Sequence, residues 1–198
     1  MDARSLESLT VGPGDALVVV DPQNDFLPGG SLAVAEGNRI FGPINRIMPL
    51  FSYVVATRDW HPPEHKYFTE HGGPWPYHCL QDTRGAEFSR KLDAHHLHDV
   101  VSKGVDPETD GYSGFAGTDL VHRLRARGIR RVFVCGLATD YCVKATALEA
   151  KAHGFDTIVL RDAIAAVNVK PEHEREALDD MARAGIEFAL SDELRAAA

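Results

Sequence analysis

Five short stretches of the chain are apolar and β-branched almost without interruption: Ala16 to Val20 (ALVVV), Tyr53 to Thr57 (YVVAT), Asp99 to Ser102 (DVVS), Val132 to Cys135 (VFVC) and Thr157 to Leu160 (TIVL). Runs with so little alternation read as parallel strands buried on both faces. Between them the period changes. Asn38 to Phe51, Thr118 to Arg127, Asp140 to His153 and Pro171 to Ala184 carry helical spacing. Pro171 suits a first helical turn, and Gly128, Gly154 and Gly185 stand where left-handed caps would close three of the helices. Ile186 to Leu190 is a sixth candidate strand. Strand and helix alternating over the whole length predict an α/β fold. The expected form is a doubly wound, mainly parallel six-stranded sheet with helices on both faces, a three-layer α/β/α arrangement with right-handed crossovers.

The pattern breaks between Trp60 and Leu97, where Pro, Gly and His crowd together and no period survives. A long irregular loop inside a compact domain is usually functional. No repeat, low-complexity tract or linker divides the chain, so one domain over residues 1–198 is expected, with a metal and substrate loop at about 59–97.

Composition narrows the possible partners. Hydrophobic residues at 44% and charged residues at 25% exclude a disordered or fibrous chain. A net charge of -8 provides no basic stripe for a phosphate backbone, which argues for a small-molecule substrate and against nucleic acid. There is no long apolar run, and Met1 to Asp15 lacks the basic start and apolar middle of a secretory signal. No membrane partner is expected and the expected compartment is the cytoplasm; a homo-oligomer is possible. Cys79, Cys135 and Cys142 are an odd and sparse set, in keeping with a reducing interior and at least one free thiol.

In open parallel sheets the ligand crevice lies at the strand C-termini. Here those ends deliver reactive groups: Asp21 after ALVVV, Asp59 after YVVATR, Lys103 after DVVS, and the Cys142 turn after VFVC. One Asp after a strand often only caps a turn, and one Lys is usually solvated; four such groups at neighbouring ends are harder to dismiss. Cys142 lies in GLATDYC, a strand-to-helix turn whose first N–H groups and helix dipole would lower a thiol pKa, so a thiolate at neutral pH is expected. The N–H groups of Ala138 and Cys142 could hold an oxyanion. Asp21 can accept the thiol proton and Lys103 can pair with that carboxylate. Asp25 is the competing carboxylate, with a loop position that favours ordering its own turn. Cys135, inside an apolar strand, reads as core; Cys79 is ambiguous.

Asp59 and His61, with His78 seventeen residues further on, offer one carboxylate and two imidazoles, a set that leaves coordination positions open as a working metal site does. His65 and His71 rank below His78 as ligands. His95, His96 and His98 lack a carboxylate partner and read as a surface turn.

VVVDPQNDFLPGGSLAV, TRDWHPPEH, GPWPYHC, SKGVDPETDGYSGF and VCGLATDYCVKATALEA, in that order, resemble the nicotinamidases (pyrazinamidases) of the isochorismatase-like cysteine hydrolase superfamily, from about Ala16 to Leu190. The resemblance implies the isochorismatase-like hydrolase fold and hydrolysis of nicotinamide to nicotinate and ammonia in NAD salvage, with side activity on pyrazinamide. It places Asp21, Lys103 and Cys142 at the catalytic triad, and Asp59, His61 and His78 at the ligands of one divalent metal ion, zinc first, with iron or manganese as alternatives. The thiolate would attack the carboxamide carbon, Asp would pass the proton to ammonia, and water would cleave the thioester. It further implies a cis peptide at Leu137-Ala138, an oxyanion hole from Ala138 and Cys142, and a substrate ring held by Phe26, Trp75 and Tyr112 with its nitrogen on the metal. His65 lies in the right loop but departs in spacing from the further histidine of some relatives, which leaves it either a ligand or a residue behind the ligands. The alternatives are a sister amidase with the same triad and a noncatalytic small-molecule or metal binder.

Overall fold

The computed structural model describes residues 9–197. Along it run β1 (Leu9–Val11), β2 (Asp15–Val20), α1 (Phe41–Ile47), β3 (Val54–Asp59), β4 (Asp99–Lys103), α2 (Leu120–Ala126), β5 (Arg131–Leu137), α3 (Lys144–Ala152), β6 (Asp156–Ala165), α4 (His173–Arg183), β7 (Glu187–Ala189) and β8 (Leu194–Ala196). Six strands form one sheet in the order β4-β3-β2-β5-β6-β7, every neighbouring pair parallel. The predicted fold class is borne out. The order reverses at β2, between β3 and β5, which is where an open α/β sheet makes its crevice.

The apolar runs divide between two faces as strand geometry requires. Leu17 and Val19 of β2 join α1 residues Ile44 and Ile47 on one side; Ala16, Val18 and Val20 join Leu120 and Leu124 of α2, Ala147 and Ala150 of α3, and Met181 of α4 on the other. Both sets are fully or almost fully buried. This double burial is why the runs show no alternation.

The helices differ from expectation at their starts. The predicted Asn38 to Phe51 helix is realised as two 3-10 turns, Gly37–Ile40 and Met48–Leu50, flanking a short α1. Pro49 has no N–H to donate back to Asn45 and its ring opposes continuation of the helix, so the chain tightens there. Expected at Thr118, α2 begins at Leu120, because the Thr118 hydroxyl accepts the Leu120 N–H at 3.3 Å and caps the turn. The Asp140 to His153 segment opens with one wide turn over Thr139–Val143, in which the Val143 N–H donates to the carbonyl of Ala138, five residues back. At the other end of these helices Gly128, Gly154 and Gly185 adopt the expected left-handed backbone. The short pair β1 and β8 lies outside the six-stranded sheet and was not anticipated. No helix among the described residues is long and apolar enough to cross a membrane.

Candidate active site and metal centre

Asp21 follows β2 with a left-handed backbone, φ 47°, which turns the chain sharply out of the sheet. Its side chain is wholly buried. Oδ1 accepts the Thr57 hydroxyl at 2.7 Å, and Oδ2 faces Lys103 Nζ at 2.8 Å without the alignment of a hydrogen bond. Lys103, at the end of β4, spends its three N–H groups elsewhere: on Asp59 Oδ1 at 2.5 Å, the Gly111 carbonyl at 2.8 Å and Cys142 Sγ at 3.3 Å. One ammonium thus joins Asp21, Asp59 and Cys142, and the structure brings all four sequence-predicted strand-end groups, Lys103 included, to one point.

Burial and charge oppose each other here. Burial raises the Asp21 carboxyl to about 6, with Lys103 pulling it down and Asp59 pushing it up. Asp59 goes the other way: burial works against its charge, but Lys103 and the imidazoles outweigh it and hold the carboxyl well below the usual range. Lys103 also pays for burial, and Asp21 and Asp59 overcome that, raising it well above an ordinary lysine. For Cys142, burial is the largest effect and lifts the thiol well above its ordinary value despite Lys103. The expectation of a resting thiolate is therefore corrected: a helix start alone would lower the pKa, but this thiol is 6% exposed and its nearest charges include two carboxylates.

Asp59 Oδ2 stands 3.5 Å from His61 Nε2 and 3.9 Å from His78 Nε2. Both imidazoles place Nδ1 against a backbone carbonyl, Gly104 at 2.9 Å for His61 and Pro76 at 2.8 Å for His78. Donation from Nδ1 leaves each Nε2 lone pair free, which is the tautomer that a metal ligand requires. With ligand atoms within 4.8 Å of one another, this buried set fits a divalent ion. His65 is also buried, yet its ring lies beside that of His61, centroids 4.4 Å apart, and outside the three-residue set. Burial and His61 push its pKa down to about 4, so it is neutral.

Between the two sets opens a small pocket. Phe26, Trp75 and Tyr112, the expected ring-holding residues, line it with Ala138 and Cys142. Trp75 Nε1 donates to the Tyr112 hydroxyl at 2.9 Å, and its ring meets Tyr141 edge-on. The Leu137-Ala138 peptide is cis.

Other candidates fall outside. Asp25 accepts the Cys79 N–H at 2.7 Å and orders the loop, as its position suggested. His71 bonds the Pro63 carbonyl at the surface, and His95 and His96 lie in a half-exposed turn. Cys79, Cys135 and Cys142 are all free thiols, with Cys135 inside β5.

Several contributors escaped the sequence reading. Tyr141, Leu32 and Val167 complete the pocket wall. Gln23, fully buried, donates to the Asp59 carbonyl at 2.7 Å and accepts the Asp59 N–H at 2.8 Å. Where Asp21 turns away from β3, this amide supplies the pairing that a strand would have given. Gly104, φ 61°, is required because a Cβ there would strike the His61 ring. Gln23 stands within the quoted DPQNDF motif, and this was the only sequence signal for it.

A doubly wound parallel sheet with a buried Asp-Lys-Cys set at its crevice, beside an Asp-His-His set, has the architecture of a cysteine hydrolase. The chain belongs to the isochorismatase domain family, whose profile matches residues 15–193. Among its relatives, the nicotinamidase/pyrazinamidase of Mycobacterium tuberculosis is 40% identical over 187 residues, 89% of this chain and 98% of that one. The crystal structure of PnC1 from L. infantum in complex with nicotinate superposes with a TM-score of 0.91 at 39% identity, covering 96% of this chain and 99% of that one. The pyrazinamidase of Pyrococcus horikoshii in complex with zinc is 48% identical with a TM-score of 0.83, covering 90% and 99%.

Proposed function

We propose that this chain is a nicotinamidase, hydrolysing nicotinamide to nicotinate and ammonia, with pyrazinamide as a side substrate. The single observation that carries the reading is that Lys103 Nζ touches Asp21, Asp59 and Cys142 at once, and that Cys142 and Asp59 share the wall of an aromatic pocket with His78 of the Asp59, His61 and His78 set. The family and the nicotinamidase relatives point to the same chemistry.

The reaction begins with a neutral Cys142 thiol and an Asp21 carboxylate, the acid/base poise expected when a carboxyl sits near 6. Asp21, which offers a carboxylate oxygen within 4.8 Å of Sγ, takes the thiol proton as Sγ attacks the carboxamide carbon. Lys103 stabilises the anionic pair through that transfer. The N–H groups of Ala138 and Cys142 receive the developing oxyanion. Collapse breaks the C–N bond, Asp21 returns the proton to the leaving nitrogen, and ammonia departs. Water, deprotonated by Asp21, then cleaves the thioester to nicotinate and restores the thiol. Phe26, Trp75 and Tyr112 hold the pyridine ring so that its carboxamide reaches Cys142. A divalent ion on Asp59, His61 and His78, zinc first, would supply a Lewis-acid position for the ring nitrogen.

Ammonia release from nicotinamide by the purified, zinc-supplied protein tests the reading. Turnover that disappears on Cys142→Ala supports it; no ammonia from nicotinamide, or release that survives Cys142→Ala, overturns it.

A further inference from the structure

We infer that the Lys103 ammonium fills a second cation position, one walled by Asp21, Asp59 and Cys142, and thereby keeps thiophilic divalent cations such as zinc, cobalt or cadmium off the nucleophile. This rests on the proposed roles of Cys142 as nucleophile and of Asp59, His61 and His78 as metal ligands.

Ligand atoms of Asp21, Asp59 and Cys142 lie within 4.8 Å of one another, and all three residues are buried. At their centre is Nζ, 2.5 Å from Asp59 Oδ1, 2.8 Å from Asp21 Oδ2, 2.8 Å from the Gly111 carbonyl and 3.3 Å from Cys142 Sγ. Two carboxylate oxygens, a sulfur and a carbonyl are a donor set that suits a thiophilic divalent ion as well as an ammonium. Asp59 belongs to both sets: Oδ2 faces the imidazoles and Oδ1 faces Nζ, so one carboxylate could bridge two ions. Asp21 Oδ2 is a second, independent sign. It is fully buried and aimed at this point, 2.8 Å from Nζ in an ion pair that falls short of hydrogen-bond alignment, while Nζ also serves Asp59, the Gly111 carbonyl and Cys142. Its lone pair is balanced by the charge of the ammonium alone.

An enzyme that holds a metal one carboxylate away from a thiol nucleophile has a selectivity problem, since sulfur is the better ligand for such ions. A tethered ammonium answers it by occupying the space and supplying positive charge without binding sulfur covalently. With Lys103 shortened, two buried carboxylates lose their countercharge. A second divalent ion would then enter, forming a sulfur–metal bond as the Cys142 S–H bond breaks and its proton leaves to solvent.

Cobalt titration of the wild type, Lys103→Ala and Lys103→Ala/Cys142→Ala, with equilibrium dialysis and absorption spectra, tests this. The wild type should bind one equivalent without a thiolate-to-cobalt charge-transfer band. Lys103→Ala should bind two, the band growing with the second, and the double variant should show no band. A Lys103→Ala protein that binds one equivalent with no band overturns the inference and leaves the metal reading standing. If the wild type binds no cobalt, the metal reading fails and the inference with it. Should Lys103→Ala not fold, excess cadmium on the wild type still decides: a cadmium–thiolate band there would show that Lys103 excludes nothing, and its absence at one bound equivalent agrees with exclusion.

Discussion

Strand β2 carries an aspartate at each end, and the two could hardly be used more differently. Asp15 opens the strand and is held in a fork by Arg131, with Nε on Oδ1 at 2.9 Å and Nη2 on Oδ2 at 2.7 Å, while Oδ2 also accepts the Gly12 N–H. Both of its oxygens are satisfied. Asp21 leaves the strand in a left-handed conformation, keeps one buried oxygen short of hydrogen-bond alignment, and shares the Lys103 ammonium with another carboxylate and a thiol. The first arrangement joins β2 to β5 at the edge away from the crevice. The second is a strained and incompletely paired group, of the kind that folds retain at working sites. The lesson is that a carboxylate at a strand end is classified by what remains unsatisfied around it.

Replacing the nucleophile should break the reactive end most completely. Cys142→Ala is expected to reduce turnover by on the order of 10⁴-fold or more while the protein still folds and binds substrate, since Ala suits the helical segment that follows. Steady-state ammonia release and circular dichroism check both halves. Cys135→Ala, a buried thiol on β5, is the control: about 1 kcal/mol of stability lost and kcat unchanged.

The aspartate comparison itself is sharpened by making the same substitution at both ends. Asp21→Asn should lower kcat by about 10³-fold, the scale of a lost acid/base group, while leaving the Tm unchanged or higher. The sign follows from Asp21's carboxyl being raised from 3.8 to about 6: above that pH the folded state disfavours the charge, and a neutral amide removes the cost. A Tm that falls steeply with kcat intact would make Asp21 a second structural staple and erase the distinction.

On the metal side of the pocket, nicotinamide should exceed benzamide in kcat/KM by about 10²-fold or more, because benzamide lacks the ring nitrogen that the proposed metal would take. His61→Ala should shrink the ratio, chiefly by lowering nicotinamide activity. Equal rates on both amides would remove the ring nitrogen from the account. The smallest effect is expected from Asp15→Asn, which should cost about 1 kcal/mol in denaturant unfolding and leave kcat unaltered.

The strands were legible because burial on both faces leaves an unbroken apolar run, and Asp21, Asp59, Lys103 and Cys142 were legible because each follows such a run. His78 was legible across the long loop as the second imidazole to set beside Asp59 and His61, and the family-like motifs agreed. What could not be read depends on contacts between distant segments. Thr57 matters through a hydroxyl that meets a carboxylate 36 residues away, and Gln23 through the backbone of Asp59 at the same separation. Gly104 looks like any turn glycine until the His61 ring is placed against it. The thiol of Cys142 was misjudged for a related reason: local helix position argues for a thiolate, and only the assembled site reveals the burial and the two carboxylates that oppose it. The three-residue strands β1 and β8 were too short to show a period at all.

The most direct test of the account is acid-quench mass spectrometry of the native, zinc-supplied protein during turnover of nicotinamide. One nicotinoyl group should be found on the peptide that contains Cys142, labile to hydroxylamine and absent from Cys142→Ala. Continued turnover with no acyl group on that peptide, or an acyl group on Cys79 or Cys135 instead, would contradict covalent catalysis by the Asp21, Lys103 and Cys142 set.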